Sequence, residues 1–185
     1  MSGARKRPGS EGKAARVRLF LIDVDGVLTD GGIIFDGNGV ETKRFHVRDG
    51  HGIKMMQRAG IEVGIITGRT SAVVQVRAEE LGISRVRQGA FDKVAAWREI
   101  LEETGIPAEE SAYVGDDIVD VPLMRQVGFA ATVADAEEDV RSEADFVSSR
   151  QGGYGAVREI IEFVLKSCGA WDRVSGKYFG PGRKE

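Results

Sequence analysis

The sequence predicts an α/β fold in which a Rossmann-like parallel sheet carries helices on both faces. Three observations predict it. Short apolar runs rich in β-branched residues recur along the chain, and segments with apolar residues at helical spacing separate them. Glycine follows several of those segments, as it commonly does at helix ends. Strands that alternate with helices in this way form βαβ units, which build parallel sheets covered on both faces.

The clearest strand is the apolar run LFLI (19–22), which Val17 precedes. Helix boundaries are marked by residue type, since Ser71 suits an N-cap and Gly82 and Gly105 suit helix ends. The later predicted elements are a strand at 61–67, a helix at 71–82, a short strand within 85–89, a helix at 92–105, a strand within 111–117, a helix within 121–128, a strand at 129–133, a helix within 136–144, a strand within 145–148 and a helix at 156–169.

Residues 31–47 interrupt this alternation. β-branched and aromatic residues flank the turn sequence DGNG, a pattern typical of a β-hairpin. The segment is therefore predicted to be a two-stranded flap that projects from the sheet. An isolated hairpin is marginally stable in water, so the flap is expected to pack against something else, such as another subunit.

The composition bounds the class of protein. The chain has 185 residues, 42% hydrophobic and 30% charged, which suits one soluble domain. A net charge of −3 gives no indication of a nucleic-acid or membrane partner, and no apolar run approaches the length of a membrane span. Cys168 is the one cysteine, so no disulfide is expected within the chain and a cytoplasmic location is predicted.

The two ends of the chain are predicted to lie outside the folded domain, which covers residues 17–169. Residues 1–16 are polar, Gly-rich and basic, without aromatic residues among the charges. That composition predicts a disordered tail more than a nucleic-acid arm. Residues 170–185 are also Gly-rich and are predicted to form a flexible C-terminal tail.

Polar residues follow three of the predicted strands. Asp23 and Asp25 end the first strand, Thr67 ends the strand at 61–67, and Asp116 and Asp117 end the strand that begins SAYVG. In open parallel sheets, ligands bind beyond the carboxyl ends of the strands. These side chains, distant in sequence, are therefore expected to meet at one edge of the sheet.

Such a cluster suits the hydrolysis of a phosphate monoester. Asp23 can attack phosphorus as a nucleophile, while Asp25, two residues on in extended chain, can give and take the proton. An anion attacking an anion needs positive charge, and Mg²⁺ with Asp23 and Asp116 as ligands provides it. The Thr67 hydroxyl and the Lys93 ammonium are expected to bind the transferring phosphoryl oxygens.

Four short motifs together resemble those of the haloacid dehalogenase superfamily of phosphatases. They are DVDGVLTD (23–30), ITGR (66–69), Lys93 and GDDIVD (115–120). Further stretches, FHVRDGHGI (45–53), the run from ITGR to residue 83, SAYVGDDIVDVPLM (111–124) and QGGYGAVREI (151–160), are similar to one family within it, the 3-deoxy-D-manno-octulosonate 8-phosphate phosphatases. The resemblance covers about residues 17–168.

The resemblance implies Mg²⁺-dependent hydrolysis of that sugar-acid phosphate through an aspartyl phosphate. It implies Asp23 as nucleophile, Asp25 as general acid/base, and Mg²⁺ held by Asp23, the Asp25 backbone carbonyl and Asp116. For Arg77, a surface salt bridge to Glu79 or Glu80 is an alternative role. The implied substrate contacts are Asp25, His46, Val47, Arg48, Asp49, Gly50, Arg69, Arg77 and Lys93, with Gly68, Asp117 and Asp120 as supporting residues.

The sequence leaves no room for a cap domain, because the intervals from Asp23 to Thr67 and from Thr67 to Lys93 are short. An uncapped site admits water and bulky phosphorylated surfaces. The resemblance implies that neighbouring subunits close it, in a homotetramer joined through the flaps. It also implies that the C-terminal tail, with Tyr178, Phe179 and Arg183, reaches a neighbouring active site.

Three other functions stay open at the level of sequence. A phosphatase for a nine-carbon ulosonate phosphate would differ in a few substrate-facing residues. A phosphomutase would share the chemistry, but it would need a cap to hold off water. A non-catalytic partner domain of a sugar-activating enzyme would need no nucleophile, whereas all four motifs are intact here.

Overall fold

The computed structural model describes residues 3–179, and its elements follow the predicted order. The strands are β1 (Arg5–Lys6), β2 (Leu19–Ile22), β3 (Ile34–Phe35), β4 (Glu41–Thr42), β5 (Glu62–Ile66), β6 (Arg85–Arg87), β7 (Ser111–Val114), β8 (Phe129–Thr132) and β9 (Phe146–Val147). The helices are α1 (Ser10–Ala14), α2 (Val47–Arg58), α3 (Ala72–Leu81), α4 (Lys93–Thr104), α5 (Val121–Met124), α6 (Glu138–Glu143), α7 (Ala156–Ser167) and α8 (Trp171–Ser175). Short 3₁₀ turns occupy Ala108–Glu110, Ile118–Asp120 and Gly176–Tyr178.

The central sheet confirms the predicted Rossmann-like architecture. Its strand order is β1-β9-β8-β7-β2-β5-β6, and every pairing except β1 with β9 is parallel. β2 lies between β5 and β7, and all four of its residues are fully buried. A parallel strand covered on both faces is apolar throughout, which explains the uninterrupted run LFLI. The carboxyl ends of β2, β5 and β7 are therefore neighbours.

Helix ends follow the predicted capping residues. α3 begins after Ser71, and Gly82 ends it at φ 64° in the left-handed region. Gly105 ends α4 in the same way at φ 65°. The Ser71 hydroxyl makes no capping bond, because it donates instead to the carboxylate of Glu41. A flap residue thus takes the place of the expected cap interaction.

The flap is the predicted two-stranded hairpin. β3 and β4 pair antiparallel, and the Asp36 carboxylate accepts backbone N–H groups from Asn38 and Val40 at 2.8 Å each. Those bonds preorganise the turn. The flap leaves a group of apolar side chains about half exposed: Ile33, Ile34, Phe35 and Val40. Residues 3–179 contain no inserted cap domain, as predicted.

The prediction of a disordered N-terminal tail over residues 1–16 is wrong for the segment from Arg5 to Ala14. β1 pairs with β9 and so covers what would otherwise be an open sheet edge. α1 follows, with Ala14 fully buried, and the Lys13 ammonium lies 2.6 Å from Asp145. The buried face of α1 is too short to give a recognisable helical period in the sequence.

The prediction of a flexible tail over residues 170–185 is wrong for residues 171–178, which form α8 and a 3₁₀ turn. The Tyr178 hydroxyl contacts His51 Nε2 at 3.0 Å and accepts from Arg58 at 2.9 Å. Arg183 lies outside the described residues.

Among the helices that the structure describes, none has both the length and the apolar character needed to cross a bilayer.

Candidate active site

A cleft opens at the carboxyl ends of β2, β5 and β7. Its volume is about 250 Å³. It lies where a parallel sheet places its ligand site. Eight of the predicted site residues line the cleft together with Val119: Asp23, Asp25, Thr67, Gly68, Arg69, Lys93, Asp116 and Asp117. The prediction that these positions converge is therefore confirmed by the geometry.

Lys93, the first residue of α4, reaches across the floor of the cleft. Its side chain is 5% exposed, and its Nζ donates to Asp23 at 2.6 Å, to Asp120 at 2.5 Å and to the Tyr113 hydroxyl at 3.1 Å. Burial alone would lower the pKa of Lys93, but the carboxylates of Asp23 and Asp120 outweigh it and raise that pKa. The ammonium therefore stays charged beneath the two acids.

Asp120 is fully buried and fully hydrogen-bonded. One carboxylate oxygen accepts from Lys93 and from the Tyr113 hydroxyl at 2.6 Å, and the other accepts the N–H groups of Asp116 and Asp117 at 3.0 and 3.1 Å. Asp117 and Asp120 also close a capping box on the Ile118–Asp120 turn. With each oxygen accepting two hydrogen bonds, Asp120 fixes the conformation of the loop after β7.

Two carboxyl groups in the cleft resist ionising in the metal-free protein. Burial raises the pKa of Asp23 to about 6, against the opposing effect of the Lys93 ammonium. Burial, together with the charges of Asp23 and Asp120, raises the pKa of Asp116 to about 8. No side chain among residues 3–179 donates a hydrogen bond to the Asp116 carboxylate. The Lys93 ammonium therefore only partly offsets the burial of these two carboxyl groups.

The donor set fits a hard divalent cation. Asp23, Asp116 and Asp120 each offer an oxygen within 4.8 Å of the others. Each Asp120 oxygen already accepts two protein hydrogen bonds, whereas each Asp23 oxygen accepts one, from Val24 N–H or from Lys93. Asp23 and Asp116 are therefore the side chains with room to bind an ion. Mg²⁺ binds through one or two carboxylates together with phosphate oxygens and water, so this pair suits it.

We expect Mg²⁺ affinity to rise with pH between about 6 and about 8. Both pKa values are raised, so below that range the folded protein holds protons that a cation must displace, and above it both carboxylates are already charged. Calorimetric titration of the metal-free protein with Mg²⁺ at both ends of the range tests this. Equal affinity at the two values, with no proton release, would contradict it.

A glycine makes room for the Asp116 carboxylate. Gly26 has φ 84°, and a Cβ built on it would collide with Asp116. We expect Gly26→Ala to weaken Mg²⁺ binding by at least about tenfold, because the carboxylate must move. Gly9→Ala is the control: Gly9 has a similar φ of 82° with nothing nearby, so it carries the backbone strain alone. Equal Mg²⁺ affinity in the two variants would contradict the expectation.

Asp25 turns toward the flap. Its Oδ1 accepts from the ammonium of Lys43, and its Oδ2 lies 3.7 Å from Arg69 Nε. Arg69 in turn donates to Glu41 at 2.9 Å. Sequence reasoning missed Glu41, Lys43 and Tyr113. The alternation in ETK, which places Glu41 and Lys43 on one face of an extended strand, is the pattern that could have revealed the first two.

A second set of predicted substrate residues lies apart from the cleft. His46, Asp49, Gly50 and Arg77 border a separate cavity of about 10 Å³ that is otherwise lined by apolar residues. His46 caps α2 through its ring nitrogen, which accepts the Arg48 N–H at 3.3 Å. Within one chain, the structure therefore does not bring these residues to the acids of the cleft.

The remaining predicted contacts have their own partners. Asp49 is buried and accepts the Arg158 N–H at 2.7 Å, and burial raises its pKa. Arg77 forms the alternative predicted for it, a salt bridge to Glu80 at 2.7 Å. Val47 is 78% exposed.

Known proteins resemble this chain over most of its length. A family model described as haloacid dehalogenase-like hydrolase matches residues 49–128. The 3-deoxy-D-manno-octulosonate 8-phosphate phosphatase KdsC of Escherichia coli (strain K12) is 45% identical over 165 residues, which are 89% of this chain and 88% of that protein. The Yersinia pestis KdsC is 43% identical over 164 residues, covering 89% and 86%.

Solved structures of such phosphatases are also similar to this chain. The phosphatase of the same name from Moraxella catarrhalis, in complex with magnesium, phosphate and KDO, has a TM-score of 0.90 at 40% identity, with 93% of this chain and 99% of that chain covered. The cobalt-bound phosphatase from Haemophilus influenzae has a TM-score of 0.85 at 39% identity, covering 90% and 98%.

Proposed function

This chain belongs to the family of 3-deoxy-D-manno-octulosonate 8-phosphate phosphatases among the haloacid dehalogenase-like hydrolases, and we propose its mechanism on that basis. It is a Mg²⁺-dependent phosphomonoester hydrolase that releases phosphate and the free eight-carbon sugar acid. The observation that carries this function is the buried Asp23–Lys93 pair beside the unpartnered Asp116 carboxylate at the sheet edge.

We assign the first chemical step to Asp23 and Asp25. A carboxylate oxygen of Asp23 attacks phosphorus and forms an O–P bond. The bond from phosphorus to the sugar oxygen breaks, and that oxygen takes the proton carried by Asp25. Lys93 keeps the Asp23 carboxylate in place at 2.6 Å and, with Thr67, binds the phosphoryl oxygens.

The second step reverses the role of Asp25. Water attacks the phosphorus of the aspartyl phosphate and the bond from phosphorus to Asp23 breaks. The water proton passes to Asp25, so that both acids return to their starting states. Asp23, the Asp25 backbone carbonyl and Asp116 hold Mg²⁺, which supplies positive charge against the repulsion of two anions. Gly68, Asp117 and Asp120 support the loops that carry these groups.

We assign binding of the sugar acid to arginines and to the start of α2. Arg69 lies in the cleft and presents a planar cation suited to carboxylate and phosphate oxygens. We infer that Val47 and Arg48, which are exposed at the start of α2, contact the substrate of a neighbouring subunit. His46, the buried Asp49 and Gly50, and Arg77 hold that end of the helix in place.

We further propose that the protein is a homotetramer joined through the flaps. Four half-exposed apolar side chains on a small hairpin favour burial against other copies of this chain: Ile33, Ile34, Phe35 and Val40. Sedimentation equilibrium measures the mass of the assembly and hence its number of chains. We place the enzyme in the cytoplasm, where its single Cys168 stays reduced.

Phosphate release from a panel of esters tests the function. The panel contains the eight-carbon sugar-acid phosphate, a nine-carbon ulosonate phosphate and p-nitrophenyl phosphate, each with Mg²⁺ and with a chelator. The expected result is Mg²⁺-dependent release with the highest kcat/KM for the eight-carbon ester. Equal kcat/KM for the generic ester would overturn the substrate, and release that persists in chelator would overturn the metal requirement.

A further inference from the structure

Lys43 is enclosed although it follows directly on an exposed hairpin. Its side chain is 1% exposed, whereas the neighbouring flap residues on β3 are about half exposed. Removing an ammonium group from water costs several kcal/mol unless it is paired, so lysine is rarely buried without partners. The burial of Lys43 is therefore explained by the charged groups that its ammonium contacts.

Those groups are two carboxylates, one from the cleft residue Asp25 and one from Glu41 on β4. The Lys43 ammonium donates to Asp25 Oδ1 and lies 3.4 Å from Glu41. Glu41 accepts from Arg69 at 2.9 Å and from the Ser71 hydroxyl, which ties β4 to the loop after β5. The base of the flap is thus joined to the cleft by charged hydrogen bonds.

The two carboxylate oxygens of Asp25 have different surroundings. Lys43 holds Oδ1, whereas Arg69 Nε is 3.7 Å from Oδ2, beyond hydrogen-bond reach. No group among residues 3–179 donates a hydrogen bond to Oδ2. The carboxyl group therefore has one oxygen fixed by the protein and one left for a reacting group.

The same arrangement serves the other acid of this loop. Asp23 is held by the buried Lys93, and Asp25 is held by the buried Lys43. One lysine comes from the start of α4 and the other from the flap. Each of the two acids after β2 has an enclosed ammonium of its own.

We propose that Lys43 is a positioning residue for Asp25, so that the flap of each chain belongs to the catalytic machinery of its own site. This rests on the proposed function. Lys43 fixes Oδ1, which leaves Oδ2 to carry the proton that passes to the sugar oxygen when the P–O bond breaks. Oδ2 then takes the proton of the attacking water.

The positioning role makes a prediction that depends on the leaving group. An alkyl phosphate expels a strongly basic alkoxide and needs the proton, whereas p-nitrophenolate leaves without one. Lys43→Met keeps the chain length and removes the ammonium. We expect it to lower kcat/KM for the sugar-acid phosphate by about 10- to 100-fold, with less than about a threefold change for p-nitrophenyl phosphate.

A double-mutant cycle separates positioning from support of the fold. In an Asp25→Asn background the further change Lys43→Met should alter kcat/KM by less than about twofold, because the group that it positions is gone. Lys13→Met is the matched control, since Lys13 pairs with Asp145 at 2.6 Å, away from the cleft. It should leave both esters unaffected.

Two results would overturn the proposal: equal losses for both esters, or losses that multiply in the double variant. If Lys43→Met does not fold, Lys43→Gln, whose amide still donates to a carboxylate, replaces it with a smaller expected loss of the same kind. If the wild type prefers another alkyl phosphate, the proposed substrate fails, and the same cycle on that ester still decides the role of Lys43.

Discussion

Replacing Asp23 by Asn is expected to reduce turnover of the sugar-acid phosphate by at least about 10⁴-fold. The amide has nearly the same shape, but it cannot displace the sugar oxygen from phosphorus. The carboxylate is also the one that accepts Lys93 at 2.6 Å and that joins Asp116 as a metal ligand in our proposal. Phosphate release under saturating Mg²⁺ measures the effect.

Asp139→Asn is the matched control for that change. Asp139 is an exposed acid in α6, so its loss removes the same charge without touching the cleft. It should keep wild-type turnover. An Asp23→Asn protein that folds, binds Mg²⁺ and turns over within about tenfold of the wild type would contradict the role of Asp23.

The second large effect concerns stability. Lys93→Met leaves Asp23 and Asp120 buried without their shared cation, and breaking a buried pair in this way costs about 3–5 kcal/mol. Turnover is expected to fall as well, because the phosphoryl group loses a cationic partner. Urea unfolding of the metal-free protein measures the loss of stability directly.

The loss should depend on pH in a defined direction. Without Lys93, the Asp23 carboxyl loses the ammonium that opposes the effect of burial, so its folded-state pKa rises further above the ordinary 3.8. Stability lost through raised carboxyl pKa values is absent below that value and grows as pH rises. We therefore expect a small difference from the wild type near pH 4 and a large one near neutrality. A loss independent of pH would indicate a packing defect instead.

Urea unfolding of a double variant tests a second time whether Lys93 stabilises the fold through charge. Lys93→Met combined with Asp120→Asn removes one of the two stranded charges. We expect the double variant to be more stable than Lys93→Met alone, because the interaction of the pair is not additive. Two losses that simply sum would contradict the view that Lys93 stabilises the fold through these carboxylates.

The fold was predictable where strands and helix ends follow strong local rules. LFLI and EVGII lie in covered parallel strands, and glycines end α3 and α4 at positive φ. The errors fall at the ends of the chain. There β1 is two residues long and α8 is five, so neither has enough residues for a periodic pattern to be visible.

The site was predictable where residues end adjacent strands, because the topology alone places them together. That accounts for Asp23, Thr67 and Asp116. The sequence could not show that Tyr113 completes the Lys93 network, since a strand tyrosine usually serves the core. The alternation in ETK indicates that Lys43 shares a face with Glu41, but it does not indicate that this face meets Asp25, since tertiary contacts set the orientation of the hairpin.

The central claim is that Asp23 carries the phosphoryl group during turnover. Rapid acid quenching of the enzyme during hydrolysis of the sugar-acid phosphate, followed by mass spectrometry of its peptides, tests this most directly. The account predicts an acid-stable, base-labile phosphoryl group on the peptide that contains Asp23. A phosphoryl group on a different residue, or sustained turnover with no phosphorylated peptide in either the wild type or Asp25→Asn, would contradict it.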